Sequence, residues 1–337
     1  MDFGALFVSD DYLEPLTAQG CAAPGQGWAR IPDVAAPLYL KGHSWGEFVF
    51  DFEYAQAYAA AGLDYYPKLV CAVPFTPVPG PRLLGLDGPS LRELVAEHQA
   101  SSAHVLFLPE DEARLLASDG WWQRDGLRFV WHQRGYTDFE GFLAALASKK
   151  RKNIRAERRR VGELGLDIHW QTAAEIAPCD WPVVFELYAS TYHMRGQAPY
   201  LNQACLQAWA QGLGDALQLC MARKHGELLA MAWFLDDGRH LYGRHWGSAV
   251  EADGLHFELC YYQGIERAIA RGLSLFDAGV QGGHRLLRGF EPMLTRSMHW
   301  FLEPRFHKAI GAHLARERQL MARQFEELNS RTAFARE

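Results

Sequence analysis

The chain has 337 residues, 49% hydrophobic and 22% charged, which supplies a sizeable core and, at about 150 residues per domain, roughly two domains. Its longest apolar run, Leu228 to Leu235, falls far short of the ~20 residues that cross a bilayer as a helix, so no helical membrane span is expected. The acidic start, Met1-Asp2-Phe3-Gly4 followed by Asp10, Asp11 and Glu14, does not fit a secretory signal and leaves the cytoplasm as the expected address. Six cysteines without a CxxC pair read as reduced thiols, mostly core.

In chain order, the first half predicts a helix over 10–19, a Gly/Pro-rich loop over 21–37 and a strand over 38–40. A helix over 47–61 stops at Gly62, a strand spans 65–73, and the prolines of 74–82 force an extended loop. A helix over 91–99, a strand over 105–108, a helix over 110–117 and a strand over 127–132 complete it. The second half restarts with a helix over 148–164, a strand over 166–170, and helices over 181–190 and 202–211. Strands over 217–222, 227–235 and 240–246 follow, with hairpin turns at Gly226 and Asp236-Asp237-Gly238. A helix over 255–271, a strand over 274–278, a glycine-rich turn, a strand over 294–301 and a final amphipathic helix close the chain. The order of motifs is echoed between halves. A strand meets His43-Ser44-Trp45-Gly46 and leads to Arg82-Leu83-Leu84; a strand meets His245-Trp246-Gly247 and leads to Arg285-Leu286-Leu287. A duplicated α/β unit is expected, with the boundary between Tyr136 and Ser148.

The net charge of −6 conceals an asymmetry. Residues 149–160 (KKRKNIRAERRR) hold eight of the 34 basic residues and one of the 40 acidic ones, a local charge of +7 on a body of −13. Such an island on an acidic surface points to one localised anionic partner. Ala147, Ile154 and Val161 recur every seven residues and turn one stripe to the core, while Arg151, Arg155 and Arg158 share an exposed face with Lys150 and Lys152 nearby. A helix starting at Ser148 has cations in its first turn, the wrong sign for its dipole, which a bound phosphate would offset. The bland alternative is a longer helix from Asp138 with a merely solvated face. No aromatics interleave the basic residues, so phosphate rather than base recognition is indicated.

Gly42-His43-Ser44-Trp45-Gly46 satisfies the G-x-S-x-G pattern of a serine hydrolase. Only 43 residues precede Ser44, bulky residues follow Gly46, and no oxyanion loop lies upstream, so the expectation is a tight turn instead. No metal-ligand motif, P-loop or dinucleotide fingerprint occurs, and no metal or tightly bound cofactor is expected.

Longer motifs carry a family resemblance: PLYLKGHSWGEFVFD from Pro37, YYPKL from Tyr65 with PFTP and GPRLL, and KKRKNIRAERRRV from Lys149. YGRHWG from Tyr242, LHFELCYYQGIERAI from Leu255 and GGHRLLRGFEP from Gly282 complete the set. From about Phe3 to Arg318 the chain resembles the FemAB-like branch of the GNAT acyltransferase superfamily, the peptidoglycan biosynthesis/recognition type. The resemblance implies an α/β (α+β) fold of two tandem GNAT-like domains, the first short of a complete one. Domain one, 1–147, would serve recognition; domain two, 148–305, would hold the basic helix and the active site; 306–337 would be the amphipathic helix. It implies transfer of an aminoacyl group from aminoacyl-tRNA, or an acyl group from acyl-CoA, to an amine. Acetyl-CoA users carry Q/R-x-x-G-x-G/A before the pyrophosphate helix, whereas residues 247–254 here read GSAVEADG with two acids. That favours tRNA or another phosphorylated donor, held by Lys150, Arg151, Lys152, Arg155 and Arg158.

Amide formation needs a base, carbonyl polarisation and a proton for the leaving group. Glu258 and Asp277 are the base candidates; Tyr242, Tyr261, Arg244 and His245 are candidates for proton donation or polarisation. Gln281, His284, Arg285 and Arg288 lie on the glycine-rich turn, and Lys41, His43, Glu47, Lys68 and Arg82 flank aromatic strands of domain one. The bland alternative for each is a cap, a satisfied core hydroxyl or an ion pair. A silent recognition module for a cell-wall fragment or phosphorylated ligand is the competing reading.

Overall fold

A computed structural model describes residues 3–279 and 283–335. The opening stretch forms α1 (Asp10–Ala18), β1 (Trp28–Arg30), β2 (Leu38–Lys41), α2 (Phe52–Ala60) and β3 (Lys68–Cys71). There follow α3 (Gly88–Glu97), β4 (Ser102–Leu108), α4 (Glu110–Ser118), β5 (Trp122–His132), α5 (Phe139–Ala145) and α6 (Ser148–Gly162). Then come β6 (Asp167–Thr172), α7 (Trp181–His193), α8 (Gln203–Gly212), β7 (Leu217–Lys224), β8 (Glu227–Asp236) and β9 (His240–Ser248). Helix α9 (Leu255–Phe257) runs through a π-turn at Glu258–Tyr262 into α10 (Gln263–Ala270), and β10 (Leu275–Asp277), β11 (Glu291–Phe301) and α11 (Pro304–Ser330) end the chain. Among the described residues, no helix is long and apolar enough to cross a membrane.

Two compact units result. The first runs through Leu127 and takes in Leu294–Phe325; the second comprises Arg128–Met293 and the chain from Glu326 onward. This differs from a single cut at 147 with a separate terminal helix, and packing explains why. Phe129, Trp131, Phe139, Phe142 and Leu146 lie in the second unit's core, whereas Ile310 and Leu314 of α11 pack against Tyr54, Tyr58 and Tyr65. A β-carbon on Gly311 would meet the Trp122 ring at 2.1 Å, so a glycine is required for α11 to lie there.

In the first unit the strands are ordered β1-β2-β3-β4-β11. Strand β4 is buried along its whole length, and α3 starts on a reciprocal cap in which Asp87 accepts from the Ser90 amide at 2.9 Å. Strands β2 and β3 run antiparallel, and the parallel pair is β3–β4, joined through α3. The sequence echo had matched β2 and β3 to β9 and β10, which are parallel. The repeat is therefore displaced by one strand.

The second unit orders its strands β5-β10-β9-β8-β7-β6. Strands β6 to β9 form an antiparallel run, β9–β10 is parallel across the α9–α10 crossover, and β10 pairs antiparallel with β5. Helix α6 begins at Ser148 as a separate element from α5, which Asp138 caps by accepting from the Gly141 amide at 2.7 Å. The continuous helix from Asp138 is thereby excluded. Ile154 and Val161 are buried, as the seven-residue spacing required.

Candidate active site in the second unit

The site arises where two parallel strands part. Strands β9 and β10 pair at only three positions, ending at Asp277 opposite Tyr242. Strand β9 continues to Ser248, so from Gly243 to Trp246 it has no strand partner on the β10 side among the described residues. A register shift at Trp233/Phe234 of β8 bends the sheet beside it, the usual effect of a bulge. On the crossover helix, the π-turn at Glu258–Tyr262 re-aims the side chains around Tyr261, a distortion common at functional sites. A β-carbon on Gly247 would come within 1.9 Å of the Leu187 carbonyl, so that glycine seats β9 against α7.

The resulting cavity, about 150 Å³, is lined by Trp233, Phe234, Arg244, His245, Trp246, His256, Cys260, Tyr261 and Arg285, with Ala232, Gly243 and Ala278. Four sequence-predicted residues, Arg244, His245, Tyr261 and Arg285, meet here. His284 joins them: its Nε2 lies 2.9 Å from the Tyr261 hydroxyl, which also accepts from Arg285 Nε at 3.2 Å. Arg285 donates besides to the Gly279 carbonyl at 3.2 Å. Burial raises the Tyr261 pKa against the pull of Arg285, and burial with Arg285 and Arg288 lowers that of His284. Both shifts favour the uncharged forms, a phenol hydrogen-bonded to a neutral imidazole. His245 is pushed down to about 3 by burial and Arg244, and His256 to about 4 by burial, His284 and the two nearby arginines. His256, Cys260 and Trp246 were missed; the helical spacing of His256, Cys260 and Tyr261 was the available signal.

Other predicted residues have different duties. Glu258 is not a free base: Arg158 Nη2 and Nε donate to it at 3.0 and 3.2 Å, and Gln263 at 2.9 Å. Arg158 is thereby removed from the donor-binding set, since it also bonds Glu266 at 2.9 Å and lies over the Phe139 ring. Asp277 is buried against Arg128 and accepts from the Gly279 amide at 2.8 Å. The Tyr242 hydroxyl donates to Asp237 at 2.8 Å. Arg288 is spent on Glu157 at 2.9 Å, the Tyr262 hydroxyl at 2.8 Å and the His284 carbonyl at 2.9 Å. Gln281 lies outside the described residues. On α6, Arg151, Lys152, Arg155 and Arg159 line a shallow groove of about 380 Å³ with Ser148 and Ala156. Lys150 is not among its lining, Arg159 replaces it, and Arg155 makes an exposed ion pair with Glu140.

In the first unit, Lys41, His43, Glu47 and Lys68 do come together, and the buried Lys68 is neutralised by carboxylates. Lys68 donates to Glu47 at 2.8 Å, Ser44 at 2.9 Å and Asp51. Tyr65 donates to Asp51 at 2.6 Å and approaches His104, which bonds His299 at 2.7 Å. Lys41 sits 3.5 Å from the centre of the Trp28 ring and donates to the Trp45 carbonyl at 3.2 Å. His43 bonds the Gln26 carbonyl at 2.9 Å. Arg82 is fully buried and donates to the Leu106 carbonyl at 2.9 Å and to those of Pro81 and Val78, so it braces a loop rather than holding substrate. Helix α2 begins at Phe52 instead of Glu47 because left-handed Gly46 and Phe48 break the backbone and Glu47 and Asp51 turn inward to Lys68. Ser44 is therefore at no strand-to-helix elbow. Its partners are Lys68 and the Tyr66 hydroxyl, and Lys68, held charged by Glu47 and Asp51 against the effect of burial, is no base for it. Among the described residues, no cluster of three His, Cys, Asp or Glu is placed to hold a metal.

An antiparallel strand run ending in a parallel pair that splays beside a crossover helix defines the second unit as an acetyltransferase-like, GNAT-type module. The chain belongs to the FemAB-like family of peptidoglycan biosynthesis/recognition proteins, whose model matches residues 3–336. Among solved structures, FemX shares the fold at 12% identity and TM-score 0.53, over 92% of this chain and 95% of that one. L-PGS from Bacillus licheniformis matches at 10% identity and TM-score 0.49, over 66% and 76% of the two chains. A tandem GNAT protein from the clavulanic acid biosynthesis pathway matches at 14% and 0.39, over 71% and 75%. No curated protein matches the sequence.

Proposed function

We propose that the chain is an N-acyl or aminoacyl transferase that forms an amide on an amine acceptor from a phosphate-bearing activated donor, aminoacyl-tRNA before acyl-CoA. The observation that carries the reading is the cavity at the β9–β10 splay, where the Tyr261 hydroxyl is hydrogen-bonded to His284 beside Arg244 and Arg285. Family membership supports a cell-wall precursor or peptide as the acceptor. The α6 groove supports a phosphate carrier, since its Arg151, Lys152, Arg155 and Arg159 have the charge and exposure to track a polyanion. Glu251, on the loop before α9, weighs against pyrophosphate there, whereas Asp253 is already paired with Arg160. A charged-tRNA donor goes with the expected cytoplasmic address.

In this scheme the amine nitrogen attacks the donor's carbonyl carbon, the C–N bond forms, and the bond from that carbon to the carrier oxygen (sulfur for a thioester) breaks. His284 takes the amine proton while Tyr261 gives its own to the departing atom, and the hydrogen bond between them restores both. Arg244 and Arg285 hold substrate. Incubation with charged-tRNA and acyl-CoA pools, read by mass spectrometry, identifies the donor consumed. Tyr261→Phe, which keeps the ring and removes the proton, is expected to lower turnover by about 100-fold. Consumption of neither pool refutes transfer and leaves ligand recognition.

A further inference from the structure

We infer that Glu157, the sole acid of the cationic stretch 149–160, is a positioning residue: it holds Arg288, which fixes the backbone of the turn that carries His284. The inference rests on the transferase reading for what His284 does, but the bridge itself is geometry. On α6, Ile154, Glu157, Arg158 and Val161 are spaced i, i+3, i+4, i+7, which sets them on one face. Ile154 and Val161 are buried, so that face turns inward, opposite the groove lined by Arg151, Lys152, Arg155 and Arg159. Glu157 meets Arg288 there. Arg288 Nη2 donates to both carboxylate oxygens at 2.9 Å, its Nε to the Tyr262 hydroxyl at 2.8 Å, and its Nη1 to the His284 carbonyl at 2.9 Å. The Tyr262 hydroxyl donates in turn to Glu157, and the guanidinium lies 3.6 Å from the centre of the Phe257 ring. All three guanidinium nitrogens are engaged, which leaves the group one orientation. The side chains of Glu157 and Arg288 are 18% and 7% exposed, so this charge-assisted pair is shielded from solvent.

What the bridge holds is a backbone rich in glycine. His284 lies in the 3₁₀ turn Gly283–Arg288, between left-handed Gly279 and left-handed Gly289, and glycine leaves a backbone free to take many conformations. Its Nε2 must nevertheless stay 2.9 Å from the Tyr261 hydroxyl. Proton transfer between amine, imidazole and phenol tolerates little displacement, and a shift of about 1 Å costs on the order of 100-fold in rate. Without the Glu157 charge, Arg288 is buried without its counter-ion, its hold on the His284 carbonyl loosens, and the turn loses its anchor on α6. A mere member of the surface island would act oppositely: neutralising it raises the local charge of +7 by one and should tighten polyanion binding with turnover intact.

Glu157→Gln keeps the shape of the side chain and removes its charge. In the full chain labelled on histidine, the His284 ring signals are assigned with His284→Gln and displaced in the wild type by the nearby Tyr261 and Phe257 rings. In Glu157→Gln they are expected to move toward the unshifted position or to split. In the transfer assay with the charged-tRNA or acyl-CoA pool, the apparent kcat should fall by about tenfold or more while the apparent KM for the donor stays or falls. Glu157→Asp, which restores the charge on a shorter stem, should recover part of both. Unmoved His284 signals, signals that move without loss of kcat, or a loss confined to KM overturn the inference. Should Glu157→Gln not fold, Arg288→Lys, which keeps a cation but cannot make all three contacts, is read the same way; failure of both to fold makes the bridge an element of the fold alone and overturns the positioning role. The two readings fail separately. If neither pool is consumed, transfer falls and the His284 signals still decide whether Glu157 positions the turn; unmoved signals in an active Glu157→Gln sink the positioning role and leave transfer standing.

Discussion

Two groups of buried or half-buried charges behave oppositely. In the first unit, Lys68 faces Glu47 and Asp51 with Ser44 and Tyr65 completing the set, so cations and carboxylates cancel within the protein. In the second unit, Arg285 borders a cavity and gives its hydrogen bonds to neutral groups, the Tyr261 hydroxyl and the Gly279 carbonyl. The same contrast separates Arg82 and Arg285, which the sequence echo treats as counterparts. Arg82 gives its protons to three carbonyls and is sealed, while Arg285 lines a space. A charge whose partners are built into the fold fixes structure; one that reaches a cavity on neutral partners alone stays open to a ligand.

The sharpest way to break this contrast is to unbalance the closed cluster. Lys68→Met leaves Glu47 and Asp51 buried without their cation, and the expected loss is about 3–5 kcal/mol of folding free energy. Denaturant unfolding measures it; a loss within error would mean that the cluster is hydrated rather than sealed. Removing a cation from the exposed α6 groove should do far less to stability. Arg151→Glu with Arg155→Glu is expected to leave the melt within about 0.5 kcal/mol. If the groove tracks a phosphate backbone, that variant weakens tRNA binding and lowers the slope of log affinity against log salt by about one for each contact removed. An unchanged slope would assign the groove to solvent.

Most elements along the chain and the basic helix were legible in the sequence because they rest on local signals: periodicity, glycine stops and a seven-residue apolar stripe. Strand β1, inside a Gly/Pro-rich stretch, and α5, a two-turn helix, were too short to register. Candidate residues could be named from chemistry, yet their pairing could not. Arg158 and Glu258 are one hundred positions apart, as residue numbers show, and only the packing of α6 beside the crossover helix reveals that a proposed cation and a proposed base cancel each other. Asp277 was lost to Arg128 for the same reason. Arg244 and His245 sit on one strand, whereas Tyr261 and Arg285 come beside them only through the crossover helix and the turn after β10. Position within a fold, not residue type, decides between a counter-ion and a ligand-binding group.

Lys41 provides the finest test, because its environment differs from that of Lys68 a few residues away in the fold. Both are fully buried, but Lys68 is bonded to two carboxylates whereas Lys41 has the Trp28 face, His43 and the Trp45 carbonyl. Burial accordingly lowers the Lys41 pKa to about 7, with Glu47 opposing and Lys68 adding to the fall, while the Lys68 pKa is raised. In the unfolded chain a lysine titrates near 10.4. Between those values the unfolded state binds more protons than the folded one, so stability should rise with pH from about 7 to 10.4, by at most about 1.4 kcal/mol per pH unit. Below 7 both states are protonated and the Lys41 contribution is flat at its least favourable value. Lys41→Met removes the titrating group, and the difference between wild-type and variant unfolding free energies should climb across that window alone. A difference independent of pH would mean that Lys41 stays charged in the fold, and that the first unit neutralises all its buried cations rather than tolerating one uncharged.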